Sequence, residues 1–259
     1  MRMQGKVAIV TGGARGIGRA IAERYASEGA IIAVADIDFQ GAQSTTEIIE
    51  KSGGKAFPVS LDVTRVDSIQ AMLGTVISKA GRVDVLVNNA GVVEVQPLFE
   101  IDERTWERVF SVNTKGLFFT LQAVARRMVD QHAGGKIINL ASEAGQRADG
   151  MVIAYSATKA AVISITKTAS LALIPFGINV NAISPGVVDT PMWIDVDRMF
   201  AKWTGAAVGV TRRDTEREVP FGRFGTPEDL TGIAVFLATS ESDYMLGQTV
   251  NVDGGRVMK

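Results

Sequence analysis

Short, continuous runs of Val, Ile, Ala and Leu recur along the chain, with longer stretches of helical spacing between them, and no other feature narrows the fold as far. Residues 6–11, 30–36, 55–61, 83–87, 136–141, 178–183 and 249–252 read as strands. They do not alternate apolar with polar, which is how strands covered on both faces read. Helical spacing fills 16–28, a stretch ending near Lys51, 66–80, 102–130, 154–174 and 227–238. Repeated β–α units imply right-handed crossovers and a parallel sheet. The expected fold is therefore α/β: a doubly wound, Rossmann-type sheet of seven strands with helices on both faces. No linker, repeat or low-complexity tract divides it, so residues 1–259 are expected to form one domain.

Composition removes several function classes. The net charge is −1, from 27 basic and 28 acidic residues, which leaves no electrostatic footprint for nucleic acid or an anionic membrane. Without cysteine there is no disulfide, thiolate nucleophile or zinc–thiolate site. No metal site is expected. The N-terminus lacks a signal-peptide pattern and no apolar stretch approaches the roughly 20 residues that span a bilayer, so the expected compartment is the cytoplasm. The one histidine, His132, precedes a glycine turn and reads as a helix C-terminal residue, not a catalytic base.

The first strand runs into Thr11-Gly12-Gly13-Ala14-Arg15-Gly16-Ile17-Gly18, which opens a helix. Gly12 permits the tight turn, Gly16 lets main chain approach a phosphate, and Gly18 lets the helix lie against the sheet. The helix N-terminus, with Ile17 in its first turn, offers free N–H groups to a pyrophosphate. Asp36 ends the second strand, eighteen residues beyond Gly18, near where a ribose-binding acid is expected. Its carboxylate would accept from two ribose hydroxyls and repel a 2′-phosphate. Arg15 argues the other way, since a basic side chain in the turn can meet that phosphate. The aspartate is taken to decide, and the expected cofactor is NAD.

Tyr155 and Lys159 lie four residues apart, on one face of a helix. A free phenol has a pKa of about 10. A buried ammonium together with the nicotinamide's charge would bring it toward neutrality. Ser142 closes the fifth strand, at the end of the sheet that faces a cofactor in such folds, and its hydroxyl can hold a substrate oxygen. Its alternative role is a cap. Asn113 and Gly116, both poor helix formers, suggest a break inside 102–130. An asparagine at such a break can bind a water linked to Lys159, or can simply face solvent.

Together these motifs resemble the short-chain dehydrogenase/reductase superfamily, along essentially the whole chain. The resemblance adds Asp62 after the third strand, Asn88-Asn89-Ala90-Gly91 and Pro185-Gly186. It implies that Asp62 and Val63 meet the adenine, and that Asn89, Ala90 and Gly91 line the adenosine ribose side. It implies a catalytic tetrad of Asn113, Ser142, Tyr155 and Lys159. Val188 and Thr190, following Pro185 and Gly186, would hold the nicotinamide carboxamide, and Lys159 would also contact the nicotinamide ribose. It further implies a homotetramer with the Tyr155 helix in an interface. Stretches in the C-terminal third, among them Pro185-Gly186-Val187-Val188-Asp189, Val219-Pro220-Phe221-Gly222-Arg223 and 244–255, are similar to bacterial sorbitol (polyol) dehydrogenases of that superfamily.

That similarity points to oxidation of a sugar alcohol, with a 3-oxoacyl carrier-protein reductase or another carbonyl reductase as the alternative. A non-catalytic dinucleotide sensor would show a broken tetrad, and here all four positions are filled. Glu94, Gln96, Glu143 and Gln146 lie in loops expected around the pocket and are candidate partners for substrate hydroxyls. Segment 189–221 has no strand period and reads as a helical lid, or else an ordinary surface excursion, with Trp193 placed to cover the C–H face of a sugar chain.

Overall fold

A computed structural model describes residues 1–258. Its centre is a seven-stranded parallel sheet: β1 (Val7–Thr11), β2 (Ile31–Asp36), β3 (Lys55–Ser60), β4 (Val85–Asn88), β5 (Gly135–Leu140), β6 (Ile178–Pro185) and β7 (Thr249–Val252). The strand order is β3-β2-β1-β4-β5-β6-β7. The chain winds outward from β1 to β3, then restarts on the far side of β1 with β4. The carboxyl ends of β1 and β4 therefore part at a switch point, where open α/β sheets form their cleft.

Strand residues feed two cores by simple alternation. Ala8, Val10, Ile32, Val34, Val85 and Val87 pack with Ile21 and Tyr25 of α1 (Gly16–Ser27) and Val235 of α9 (Thr231–Ala238). On the opposite face Val7, Ile9, Ala33, Ala35 and Leu86 pack with Met72 and Val76 of α3 (Val66–Ala80) and Val124 and Met128 of α5 (Leu117–Asp130). Apolar residues on both faces explain the continuous runs. Tyr25 is buried wholly, and its hydroxyl donates to the Ala234 carbonyl at 2.7 Å, which satisfies the one polar atom it brings into the core.

Three expectations need correction. The stretch 102–130 is not one helix: α4 (Glu103–Phe110) passes into a π-helical segment at Ser111–Gly116 before α5 begins. The break falls where Asn113 and Gly116 suggested it. A Cβ at Gly116 would stand 2.8 Å from the Val63 carbonyl, so the helix can approach β3's exit only there. The sixth strand runs two residues further than expected, because Ser184 and Pro185 pair with Asn251 and Val252. The third concerns membrane-length segments. Ile153–Phe176, comprising α6 (Ile153–Leu173) and a short 3₁₀ turn, is 24 residues long and apolar enough to cross a membrane by length and composition. It nonetheless buries Thr158, Lys159 and Thr166 against the protein, while much of its outer face stays uncovered.

The segment after β6 is helical, as expected. α7 (Pro191–Thr204) starts with proline at its first turn and ends at Gly205; α8 (Val210–Arg217) follows Gly209. Buried Asp197 of α7 accepts from the main-chain N–H groups of Gly209 and Arg212, so one carboxylate caps the next helix and fixes the pair. Arg212 also reaches back to Asp189 at 2.9 Å. The remaining helix, α2 (Phe39–Lys51), is capped by Asp38.

Candidate active site

The glycine turn is built from main chain and pinned from β4. Gly12 has φ 64° and Gly16 φ 57°, in the left-handed region. A Cβ at Gly18 would collide with the Gly12 carbonyl and the Asn89 amide. Asn89 Nδ2 donates to the carbonyls of Thr11 and Gly12, at 2.9 and 3.0 Å. Thr11 Oγ1 in turn accepts from the N–H groups of Asn89 and Ala90. Asn89 thus has a structural task beyond lining the cleft. Arg15 precedes α1 without a side-chain cap, so the first N–H groups of the helix are free for an anion.

A cavity of about 450 Å³ lies over this turn, bordered by Gly12, Arg15, Gly16, Ile17, Asp36, Asp62, Val63, Asn89, Ala90 and Gly91. Asp36 is fixed at the end of β2 by accepting from Ala14 N at 2.9 Å and Asp38 N at 3.0 Å. Asp62 accepts from the main chain and hydroxyl of Thr64, which sets the wall where an adenine would lie. Free helix N–H groups at one end, an oriented carboxylate at the other and no Cβ at Gly12, Gly13 or Gly16 suit a dinucleotide.

The groove opens, at Ile17, Asn89, Gly91 and Thr190, onto a second cavity of about 470 Å³. Ser142, Tyr155 and Lys159 line it, with Pro185, Gly186 and Val188 beside them. Ser142 Oγ caps a short turn by accepting from Ala144 N at 3.1 Å, so the capping role and the site role coexist. Lys159 Nζ donates to the Leu140 carbonyl at 2.8 Å and lies 5.6 Å from the centre of the Tyr155 ring. Burial alone brings its pKa down to about 8.

In the protein alone the Tyr155 phenol is raised. Burial pushes its phenol above the ordinary value, hydrogen bonding with Ser142 acts against that, and the charge of Glu143 adds to it. The expected lowering calls on the nicotinamide's charge beside that of Lys159, and in the protein alone burial prevails.

Asn113 is fully enclosed and does not face solvent. Its side chain exchanges two 2.8 Å hydrogen bonds with the main chain of Val92 and donates to Thr158 Oγ1 at 3.1 Å. Thr158 then donates to the carbonyl of Tyr155. The π-helical segment is thereby tied to the first turn of the tyrosine helix. Nothing in the sequence singled out Thr158.

Of the substrate candidates, two reach the second cavity and three do not. Glu143 and Trp193 line it, Trp193 lying edge-on to Phe224 at 4.9 Å. Gln146 does not: its amide donates to Ser184 Oγ at 2.8 Å and Asn251 Oδ1 at 2.6 Å, locking β6 to β7. Glu94 is also outside, paired with Arg108 of α4. Gln96 is placed by a main-chain bond to Met151 and borders neither cavity. His132 ends α5 with φ 52° and borders neither cavity. Arg147, Glu218 and Arg256, which do line the site, were missed; they come from three distant stretches and carry no motif. Met192, Trp193, Val196 and Phe200 of α7 complete the wall.

The chain is similar to known proteins along nearly its whole length. Residues 12–256 match the family model described as Enoyl-(Acyl carrier protein) reductase. The chain is 50% identical over 258 residues to a sorbitol dehydrogenase of Cereibacter sphaeroides, covering 100% of both proteins. It is 48% identical, with the same coverage, to a galactitol 2-dehydrogenase of Agrobacterium fabrum. The crystal structure of a short-chain type dehydrogenase/reductase from Mycobacterium marinum superposes with a TM-score of 0.90 at 37% identity, covering 99% of this chain and 97% of that one.

Proposed function

The chain belongs to the short-chain dehydrogenase/reductase family, and from that membership we propose that it uses NAD to oxidise a secondary hydroxyl of a sugar alcohol, of the sorbitol or galactitol type, to a ketose. The observation that carries the reading is the junction of the two cavities, where the groove over the glycine turn meets the cavity holding Ser142, Tyr155 and Lys159. The sorbitol and galactitol enzymes, similar over the full length, support the choice of substrate class.

Bound NAD would accept the hydride and bring the positive charge that lowers the Tyr155 phenol. The chain's own residues do the rest. Ser142 holds the substrate oxygen, and Tyr155 takes its proton as general base. Lys159, anchored on Leu140, keeps positive charge beside the phenol. Asn113 fixes the turn that carries Tyr155, through Thr158. Asp36 favours NAD over NADP by accepting from ribose hydroxyls and repelling a 2′-phosphate.

Residues 1–259 act as one catalytic unit on this reading, with 189–221 as its lid. The active form is a homotetramer, and the uncovered apolar face of α6 and of the turn after it, with Leu171 and Ile174 exposed, is the surface that asks for a partner copy. The test is a panel of hexitols, simple secondary alcohols and a β-hydroxyacyl thioester, each with NAD and NADP, followed by NAD(P)H absorbance. A hexitol with NAD should give the highest kcat/KM. If a simple alcohol or the thioester outperforms every hexitol, the carbonyl-reductase reading replaces this one. Equal turnover with NADP removes the cofactor claim.

A further inference from the structure

Four charged side chains gather on the wall of the second cavity, and the catalytic steps use none of them. Arg256 Nη1 lies 2.6 Å from Glu143 Oε1, and its Nη2 lies 2.8 Å from Glu218 Oε2. Arg147 stands between the same two carboxylates at 3.7 and 3.9 Å, too far for a hydrogen bond to either. All four residues line the cavity.

The cluster is short of partners. Glu143 Oε2 and Arg256 Nε are buried without one. Among the described residues the Arg147 guanidinium makes ion pairs but no hydrogen bond, and unlike those atoms it reaches open space, with 37% of its side chain exposed. Buried polar atoms normally find partners, so a wall with this much unused capacity is built for something that arrives. Burial holds the Glu143 carboxyl above its ordinary range, with Arg256 and Arg147 opposing the shift. The wall is not an anion site. Asp149 and Asp214 also line the cavity, so with Glu143 and Glu218 it carries four carboxylates against three cations, Arg147, Arg256 and Lys159. That balance repels a phosphate or carboxylate ligand and tolerates a neutral one.

We propose that Arg147 is the specificity-determining residue that grips hydroxyls of the substrate remote from the reacting carbon, held in place by Glu143 and Glu218, with Arg256 as the positioning residue that keeps both carboxylates in line. The ligand class is an uncharged polyhydroxy chain. This rests on the polyol reading for its choice of substrate and deepens it, by naming the group that tells a polyol from a simple alcohol.

The test is the ratio of kcat/KM for a hexitol to that for 2-butanol, in wild type, Arg147→Ala and Arg147→Lys, with thermal melting to show that the half-exposed position leaves the fold intact. Charge-assisted hydrogen bonds of this kind predict a fall in the ratio of about 10- to 100-fold in Arg147→Ala, carried mainly by KM for the hexitol. Arg147→Lys, which keeps the charge and loses the planar fork, should fall between. A ratio within about twofold of wild type in Arg147→Ala overturns the assignment. A hexitol 6-phosphate preferred over the free hexitol by the wild type overturns the neutral-ligand class. If the wild type prefers 2-butanol, the polyol reading fails, and the change in the same ratio on mutation still decides the role of Arg147.

Discussion

Around the glycine turn the cleft wall is main chain; around Arg147 it is side chain. At the first, Gly12, Gly16 and the open start of α1 present N–H groups whose positions follow from backbone dihedrals and from the Asn89 staple. At the second, Glu143 meets Arg256 from 113 residues away. A wall of main chain changes little when its side chains change, which suits a ligand held in common by many enzymes. A wall of paired side chains can be rewritten one substitution at a time, which suits a substrate that differs between them.

The largest effect should separate the two ends cleanly. Tyr155→Phe removes the base, and kcat/KM should fall about a thousandfold or more, while NADH binding, followed by fluorescence, stays within about threefold. In wild type, kcat/KM for oxidation should climb with pH as the Tyr155 phenol loses its proton, because only the phenolate can act as the base. That climb should vanish in the variant. A large loss of NADH affinity in Tyr155→Phe would mean that the ends are not independent.

Lys159→Met tests the cost of the catalytic lysine. Its pKa falls from 10.5 to about 8 on folding, so the unfolded chain holds the proton more tightly. Stability of the cofactor-free protein should therefore rise as pH goes from about 8 to about 10.5, by about 3 kcal/mol. The methionine variant should lose that dependence and melt higher than wild type at pH 7, although its turnover collapses. A variant that melts lower at pH 7 would show that the bond to Leu140 outweighs the buried charge.

Asp36→Ala acts at the main-chain end and should be milder, lowering the NAD-to-NADP preference about tenfold, read from kcat/KM with each cofactor. An unchanged preference would hand cofactor choice to Arg15. Smallest of all should be the response of 190–215. Hydrogen exchange there should slow when NAD and a hexitol are added together, and identical protection in both states would count against a gating role for α7 and α8.

What could be read from the sequence divides along the same line. The parallel, doubly wound sheet follows from β–α alternation, and the glycine turn, Asp36 and the Tyr155–Lys159 pair follow from short-range spacing along the chain. The pairing of Glu143 with Arg256 has no local signature. Glu94 and Gln146 failed as site residues for the same reason: a polar side chain in the correct loop can be claimed by a neighbour, Arg108 in one case and the β6–β7 edge in the other. The membrane-length apolar helix escaped notice because Lys159 and Lys167 interrupt it in the sequence.

The π-helical segment at Ser111–Gly116 has a consequence for how this gene can change. Such a turn holds one residue more than an α-turn. Residues before and after it are offset by about 100° relative to a continuous helix. α4 buries Val109 and α5 buries Leu121, Val124 and Met128 only with that offset in place. Losing a single codon between 111 and 116 would make the helix more regular, and it would turn one of those two apolar stripes toward water while pulling Asn113 from Val92. Variation in this segment should accumulate as substitutions, with its length held constant.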